Sequence, residues 1–435
     1  MNAKIRDQEL HQMLREFAKY SVRFLRKKEQ LGGTIPLKLR TSAVPNGTAY
    51  EFRQDVEPNF SAFVASHKAE IEKAIEYKAL AKYFNSLKVI REHRQVWLHP
   101  DFPFNFLSKL LEKTGRVKYN SQKFIMLYGA FENDLYSTKV KLRLIAPLKN
   151  FQSEVKNIQL ADNLVIRQLE NKELNELWRW DPLNPNIDHF GADLLFEPYK
   201  LVFDVQFMKG QVFDIPEKQK TMEDVVTALR IFKTGLVGYN FFLVWPSECR
   251  PLRGIYDYNT NIRFNAFAKP YLGTKYELSV SEGKAFTRFW KKFKSADIQP
   301  IHVAISRLSH GDERETAEDQ LIDLMIAFEN LYLPDAEGEL RFRLSMRASC
   351  LLEKDDAGRE EVFSLLKDAY DIRSKIVHGA SRSKVDRMLQ KVGFSKLADL
   401  SAELQQYLRM SIKIYLNNPS QLKADALDRR LLSKR

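Results

Sequence analysis

Arg373, Ser374 and His378 stand within nine residues of one another in the stretch "DIRSKIVHG", residues 371–379. These three residue types can act together on a phosphodiester. A guanidinium neutralises charge developing on phosphoryl oxygens. An imidazole moves a proton as general base or acid near neutral pH. A hydroxyl beside them orients the phosphate or the imidazole. The chemistry to which this set points is proton transfer and charge stabilisation at a phosphate; the other reading of the same residues is a capped helix end. Spacing sets a geometric condition. Five residues of straight α-helix turn by about 500°, which leaves Arg373 and His378 roughly 140° apart. A single phosphate is therefore reached by both only if the helix end distorts or a second protomer completes the site. Gly379 is predicted to stop the helix in a left-handed conformation, which puts His378 in its last turn.

Further residues are placed to support this set. Arg373 falls on the apolar face with Leu366 and Ala369, whereas Lys367, Asp371, Ser374 and His378 line a different stripe. Tyr370 and Asp371 flank the arginine. Glu329 and Arg347 also fall on apolar faces of their segments, and charges there are seldom left alone. Glu329 is therefore predicted to meet Arg347, Arg373 or both inside a bundle. Arg382, Lys384, Arg387, Lys391 and Lys396 crowd the segment that follows, predicted as a basic loop. Arg382, Lys384 and Arg387 are the candidates for RNA contact.

The elements that must position these residues read as helices. "AEDQLIDLMIAFENLYL", "GELRFRLSMRASCLL", "EVFSLLKDAYDIRSKIVHG" and "LADLSAELQQYLRMSIKIYL" each carry one apolar stripe at helical spacing. Four such helices with short links predict an antiparallel bundle over 296–416. Residues 417–435 form a basic C-terminal tail, either a short appended helix or a loose end. The region 119–295 reads as α+β. "KFIMLYGAFEN", "TKVKLRLIAPL", "NLVIRQL", "PYKLVFDVQF" and "YNFFLVW" are predicted strands. "TMEDVVTALRIFKTG" is a predicted helix, capped by Thr221 or Asp224 and ended by Gly235. Residues 1–118 read as helical: a helix over 5–28, a break at "LGGTIP", an uninterrupted helix over 60–98, a second break at "HPDFPF" and a helix through "NFLSKLLEK". The fold class is α+β, with an N-terminal helical region and a β-containing middle ahead of an all-α bundle.

The formal charge of +13 is unevenly distributed. Residues 296–435 hold 22 Lys+Arg and 23 Asp+Glu, a net of −1; the rest hold 69−22 = 47 and 56−23 = 33, a net of +14. A basic segment joined to a near-neutral one suits a polyanionic partner. The only cysteines are Cys249 and Cys350, with no CxxC, and the eight histidines show no metal-ligand spacing. A reducing, cytoplasmic setting follows. No run approaches the roughly 18 apolar residues of a membrane span, and the N-terminus lacks the apolar core of a signal peptide.

The segments "LIDLMIAFENLYL", "ELRFRLSMRASCLL" and "LLKDAYDIRSKIVHG" resemble successive helices of the HEPN superfamily, and within it the ApeA-like HEPN proteins of bacteria. "NLVIRQLENKELNEL" and "VVTALRIFKTGLVG" are similar to segments that precede such domains. The resemblance is strongest over about 300–380, thinner over 155–300, and does not extend before about 120. It matches the R-x4–6-H hallmark at Arg373, Ser374 and His378. The resemblance implies a metal-independent endoribonuclease, a homodimer that brings two motifs together, and a role in bacterial anti-phage defence with a phage-derived trigger. A second reading stays open: a non-catalytic nucleic-acid-binding or sensor module whose bundle only dimerises.

Overall fold

The computed structural model describes residues 5–46, 49–87, 101–170, 173–174, 197–208, 214–246, 262–264, 275–311, 313–334 and 338–432. The chain forms two compact units. The first comprises Met1–Pro147, Asn163–Asp214 and Phe241–Asn265; the second comprises Leu148–Asp162, Ile215–Asn240 and Ala266–Arg435.

The first unit opens with α1 (Gln8–Gln30), whose Leu10, Leu14, Phe17, Val22 and Leu25 form the buried stripe. Asp7 caps it by accepting from the Leu10 amide at 2.8 Å. A hairpin of β1 (Leu37–Asn46) and β2 (Ala49–Pro58) follows, in the register Leu37↔Pro58 to Asn46↔Ala49. This hairpin is an addition to the helical region expected over 1–118, lying between its break at "LGGTIP" and the helix expected from residue 60, and the Asn46-Gly47 dipeptide is a hairpin signal. The helix expected over 60–98 is instead three pieces: α2 (Phe60–Ser66), α3 (Lys68–Ile71) and α4 (Ile75–Ser86). No glycine or proline breaks it. The Ser66 hydroxyl donates to the Phe63 carbonyl at 2.9 Å, and a His67 ring nitrogen lies 2.9 Å from the same oxygen. Side chains thus compete for an acceptor the helix would use. The end of that expected helix, and His99, lie outside the described residues.

The expected break at "HPDFPF" is where α5 (Phe102–Thr114) starts, with Pro103 in a first turn that needs no amide donor there. Next comes α6 (Ser121–Leu135), which corrects the strand expected at "KFIMLYGAFEN". Its Phe124, Leu127, Tyr128, Phe131 and Leu135 are buried at helical spacing, so the period outweighs the β-prone composition. Buried Glu132 accepts from the Arg6 and Asp7 amides and the Tyr128 hydroxyl, which fastens the start of α1 to α6.

β3 (Lys139–Pro147) then enters a sheet. After β4 (Phe151–Ser153) and β5 (Asn157–Ala161) of the second unit, the chain returns as β6 (Leu164–Gln168) and β7 (Tyr199–Met208). It leaves again for α7 (Ile215–Phe232) and returns as β8 (Phe241–Pro246) and β9 (Ile262–Phe264). In the first unit the order is β6-β7-β3-β8-β9, antiparallel throughout, with Leu144 opposite both Phe203 and Val244. Ile145, Val202, Phe241 and Leu243 pack one side of it. The other four predicted strands are present. The predicted helix is α7, but it begins earlier, so Thr221 lies inside it, and Gly235 stands three residues beyond its end.

In the second unit β10 (Tyr276–Leu278) pairs parallel with β4. There follow α8 (Val280–Ser295), opened by a Ser279/Glu282 capping box, and α9 (His302–Gly311). The four helices predicted from stripes are α10 (Ala317–Tyr332), α11 (Leu340–Leu352), α12 (Asp356–Val377) and, after an additional helix, α14 (Leu397–Asn417). That additional helix, α13 (Arg382–Lys391), replaces the expected basic loop. No described residue between 319 and 378 is in a strand. The C-terminal segment is not a loose tail: α15 (Ala424–Leu432) buries Leu427.

Candidate functional site

Helix α12 carries the Arg–His set, and its sequence specifies both ends. The Asp355 carboxylate accepts from the Gly358 amide at 2.8 Å. Val362, Leu366, Ala369 and Ile372 form the buried stripe. At the far end Gly379 adopts φ +72°. Its amide reaches the Ile376 carbonyl at 3.0 Å, and the Ala380 amide reaches that of Lys375 at 2.9 Å. This is a Schellman closure, which only a residue tolerant of the left-handed region makes without strain. His378 is therefore the helix C-cap and is exposed.

Because α12 stays regular to Val377, Arg373 and His378 leave it on different faces. Arg373 turns toward α10, where its Nη2 lies 3.9 Å from Glu329 Oε2, and both side chains are about one-quarter exposed, at 23% and 26%. Its guanidinium carbon is 5.9 Å from the Tyr370 ring centroid, within cation–π range. Its Nε is buried and has no hydrogen-bond partner. The Tyr370 hydroxyl is pushed up, first by burial and then by the Glu329 charge. Glu329, Tyr370 and Arg373 thus form one cluster.

The second stripe, Lys367, Asp371, Ser374 and His378, is partly to fully exposed. Arg341 of α11 grips both Asp371 oxygens at 2.7 Å, a pairing not expected from the sequence.

Of the two arginines expected for Glu329, Arg373 is the one within salt-bridge reach, and Arg347 is held by other groups. Arg347 is 1% exposed. Its Nε and Nη2 donate to the two Asp428 oxygens at 2.7 and 2.8 Å, and Nη1 donates to the Tyr332 carbonyl at 2.8 Å. Asp428 belongs to α15 and holds Arg347 by a bidentate fork. The apolar spacing of "ADALDRRLL" was the available signal that this segment docks.

On α13, Lys384, Arg387 and Lys391 follow at steps of three and four and share one exposed face. Buried Val385 and Leu389 occupy the opposite side. Arg382 is exposed at the first helical position, and Lys396 immediately precedes α14. The structure therefore gathers three cations of the run on one face and sets Arg382 apart from them. Cys350 is partly buried, and Cys249 lies outside the described residues.

Among the described residues no group of three or more His, Cys, Asp or Glu is placed to hold a metal ion. No helix among them is long and apolar enough to cross a membrane. The chain matches no family model, no curated protein and no solved structure.

Proposed function

We propose that the chain is a cytoplasmic, metal-independent endoribonuclease of the HEPN kind, assembled as a homodimer and serving in anti-phage defence under a phage-derived trigger. The observation that carries the chemistry is the state of the Arg373 and His378 side chains. The guanidinium has a single long carboxylate contact and an unpaired Nε, and the imidazole is exposed at the end of the same helix. The ribose 2′-oxygen attacks phosphorus and the 5′-oxygen leaves. The products are a 2′,3′-cyclic phosphate and a 5′-hydroxyl. His378 accepts the 2′-hydroxyl proton or delivers one to the leaving oxygen. Arg373 neutralises the phosphoryl oxygens, and Ser374 orients the phosphate. The roughly 140° between the two side chains favours a site to which two copies contribute.

The test is incubation of purified protein with RNA in EDTA, beside a His378→Ala control. Defined cleavage by the parent and none by the variant supports the reading. One observation favours the non-catalytic alternative: Glu329 stands where a structural partner of Arg373 would stand. Binding of RNA without cleavage by the parent would select that alternative.

A further inference from the structure

The outer face of α1 carries a basic ridge that the α12 chemistry does not use. His11, Arg15, Lys19 and Arg23 follow at four-residue steps, and Arg26 lies on the same side. Each step rises about 6 Å along the helix, so Arg15 to Arg26 span about 16 Å. Arg15, Lys19, Arg23 and Arg26 are exposed, and no carboxylate among the described residues forms a salt bridge with them. Some cations elsewhere in the first unit are paired, Lys28 with Glu70 at 2.6 Å, Lys68 with Asp101 at 2.7 Å and Lys109 with Glu112 at 2.8 Å. Glu16, the acid beside the ridge, accepts from Gln12 at 3.1 Å rather than from a ridge cation.

Tyr119 is the aromatic ring beside the charges. Lys19 Nζ lies 5.8 Å from the Tyr119 ring centroid. At the foot of the ridge the His11 Nε2 is buried with no hydrogen-bond partner, and Arg15 lies against the Tyr119 hydroxyl. A cationic track with an aromatic ring beside it holds single-stranded nucleic acid without sequence preference, the charges taking the backbone and the ring a base. An anionic membrane fits less well, because a membrane-surface helix must offer its apolar face to lipid. The apolar face of α1 is already buried.

We infer that the Arg15–Lys19–Arg23–Arg26 ridge is a docking track for single-stranded nucleic acid, with the cations on phosphates and the Tyr119 ring beside a base. This is independent of the α12 reading. It is therefore measured as binding, in the full-length His378→Ala protein, whether or not the parent cleaves RNA. The probes are fluorescein-labelled oligouridylate and oligothymidylate of about 16 nucleotides, a length that spans a typical single-strand site. Anisotropy is followed against salt concentration. Adding Arg15→Gln, Lys19→Gln and Arg23→Gln together should weaken binding by about tenfold or more. It should also make the plot of log affinity against log salt shallower by about 2, at about 0.7 per lost phosphate contact. The single Lys19→Gln change should do the same in smaller measure, which keeps the test available if the triple variant unfolds. Loss with both probes assigns the ridge to the backbone, and loss with the ribose probe alone assigns it to RNA. Unchanged affinity and slope with both probes would overturn the inference. So would failure of the His378→Ala protein to bind either probe, or ridge-dependent binding to anionic vesicles in their place.

Discussion

Arg347 and Arg373 are guanidiniums of the same helical unit, and they are held in opposite ways. Arg347 is enclosed, with a bidentate carboxylate and a backbone carbonyl on its donors. Arg373 keeps solvent access, touches Glu329 only at 3.9 Å and leaves its Nε without a partner. A guanidinium with matched partners contributes to the fold. One that is partly exposed and has a single carboxylate contact at 3.9 Å has guanidinium donors left for an anionic ligand. The difference separates the supporting arginine from the candidate catalytic one more clearly than their positions on apolar stripes do.

The largest expected effect tests the second arginine. Arg373→Ala and His378→Ala should each lower RNA cleavage in EDTA by about 10²–10⁴-fold, the range for losing a positioned acid–base group or a charge stabiliser. His378→Ala should leave the melting temperature unchanged, because the residue is exposed. Mixed His378→Ala and Arg373→Ala proteins should recover part of the activity if each site takes its arginine and histidine from different copies. Cleavage by His378→Ala at the parental rate would remove this histidine from the mechanism.

The next effect tests the first arginine through an asymmetry. Asp428→Ala strands a buried guanidinium and should cost about 3–5 kcal/mol in urea unfolding. Arg347→Met replaces the buried charge with an apolar chain and leaves an Asp428 that is already 48% exposed, but it also takes the donor from the Tyr332 carbonyl, so its cost should be smaller, about 1–3 kcal/mol. Equal costs would mean that the fork is not what holds α15.

Glu329→Gln should be milder than a stranded buried charge. With both partners about one-quarter exposed and 3.9 Å apart, the loss of stability should be about 1 kcal/mol or less. A loss of several kcal/mol would place Arg373 with Arg347 as a structural residue and weaken the contrast.

The legible parts of this chain were those where one periodicity acted alone. The stripes of α10, α11, α12 and α14, the left-handed stop at Gly379 and four of the sheet strands were readable because local spacing determines them. Helix α6 was misread because Phe, Ile, Met and Tyr are at home in strands, and only the buried set Phe124, Leu127, Tyr128, Phe131 and Leu135 betrays the helical period. The break at Ser66–His67 depends on side chains capturing one carbonyl, which carries no Gly or Pro signal. The Arg–His motif and the nearness of Glu329 to Arg373 were legible from face positions. The pairing of Arg347 with Asp428 was not, because 81 residues separate them and only tertiary docking of α15 brings them together.

The smallest effect concerns acid. The Asp428 carboxyl is held below its usual range by its hydrogen bonds to Arg347. A depressed carboxylate contributes stability above its unfolded value, about 3.9, and loses it as pH falls through its folded value. Asp368, on α12, is shifted the other way, by burial and then by the Asp371 charge. Its folded form holds the proton more tightly, so stability falls as pH rises from the unfolded value through the folded one and is flat above it. Asp368→Asn should therefore remove that fall and raise stability at pH 7, whereas Asp428→Asn should lower stability at pH 7 and flatten the acid limb. Both groups are substantially solvated, so solvent screening keeps the pH-dependent parts small. The measurement is unfolding midpoint against pH from 3 to 7 for the parent and both variants. Opposite signs for the two variants at pH 7 would support the assignment of one carboxyl to a structural fork and the other to a strained position near the candidate site. Equal signs would show that Asp368 is not strained by its burial.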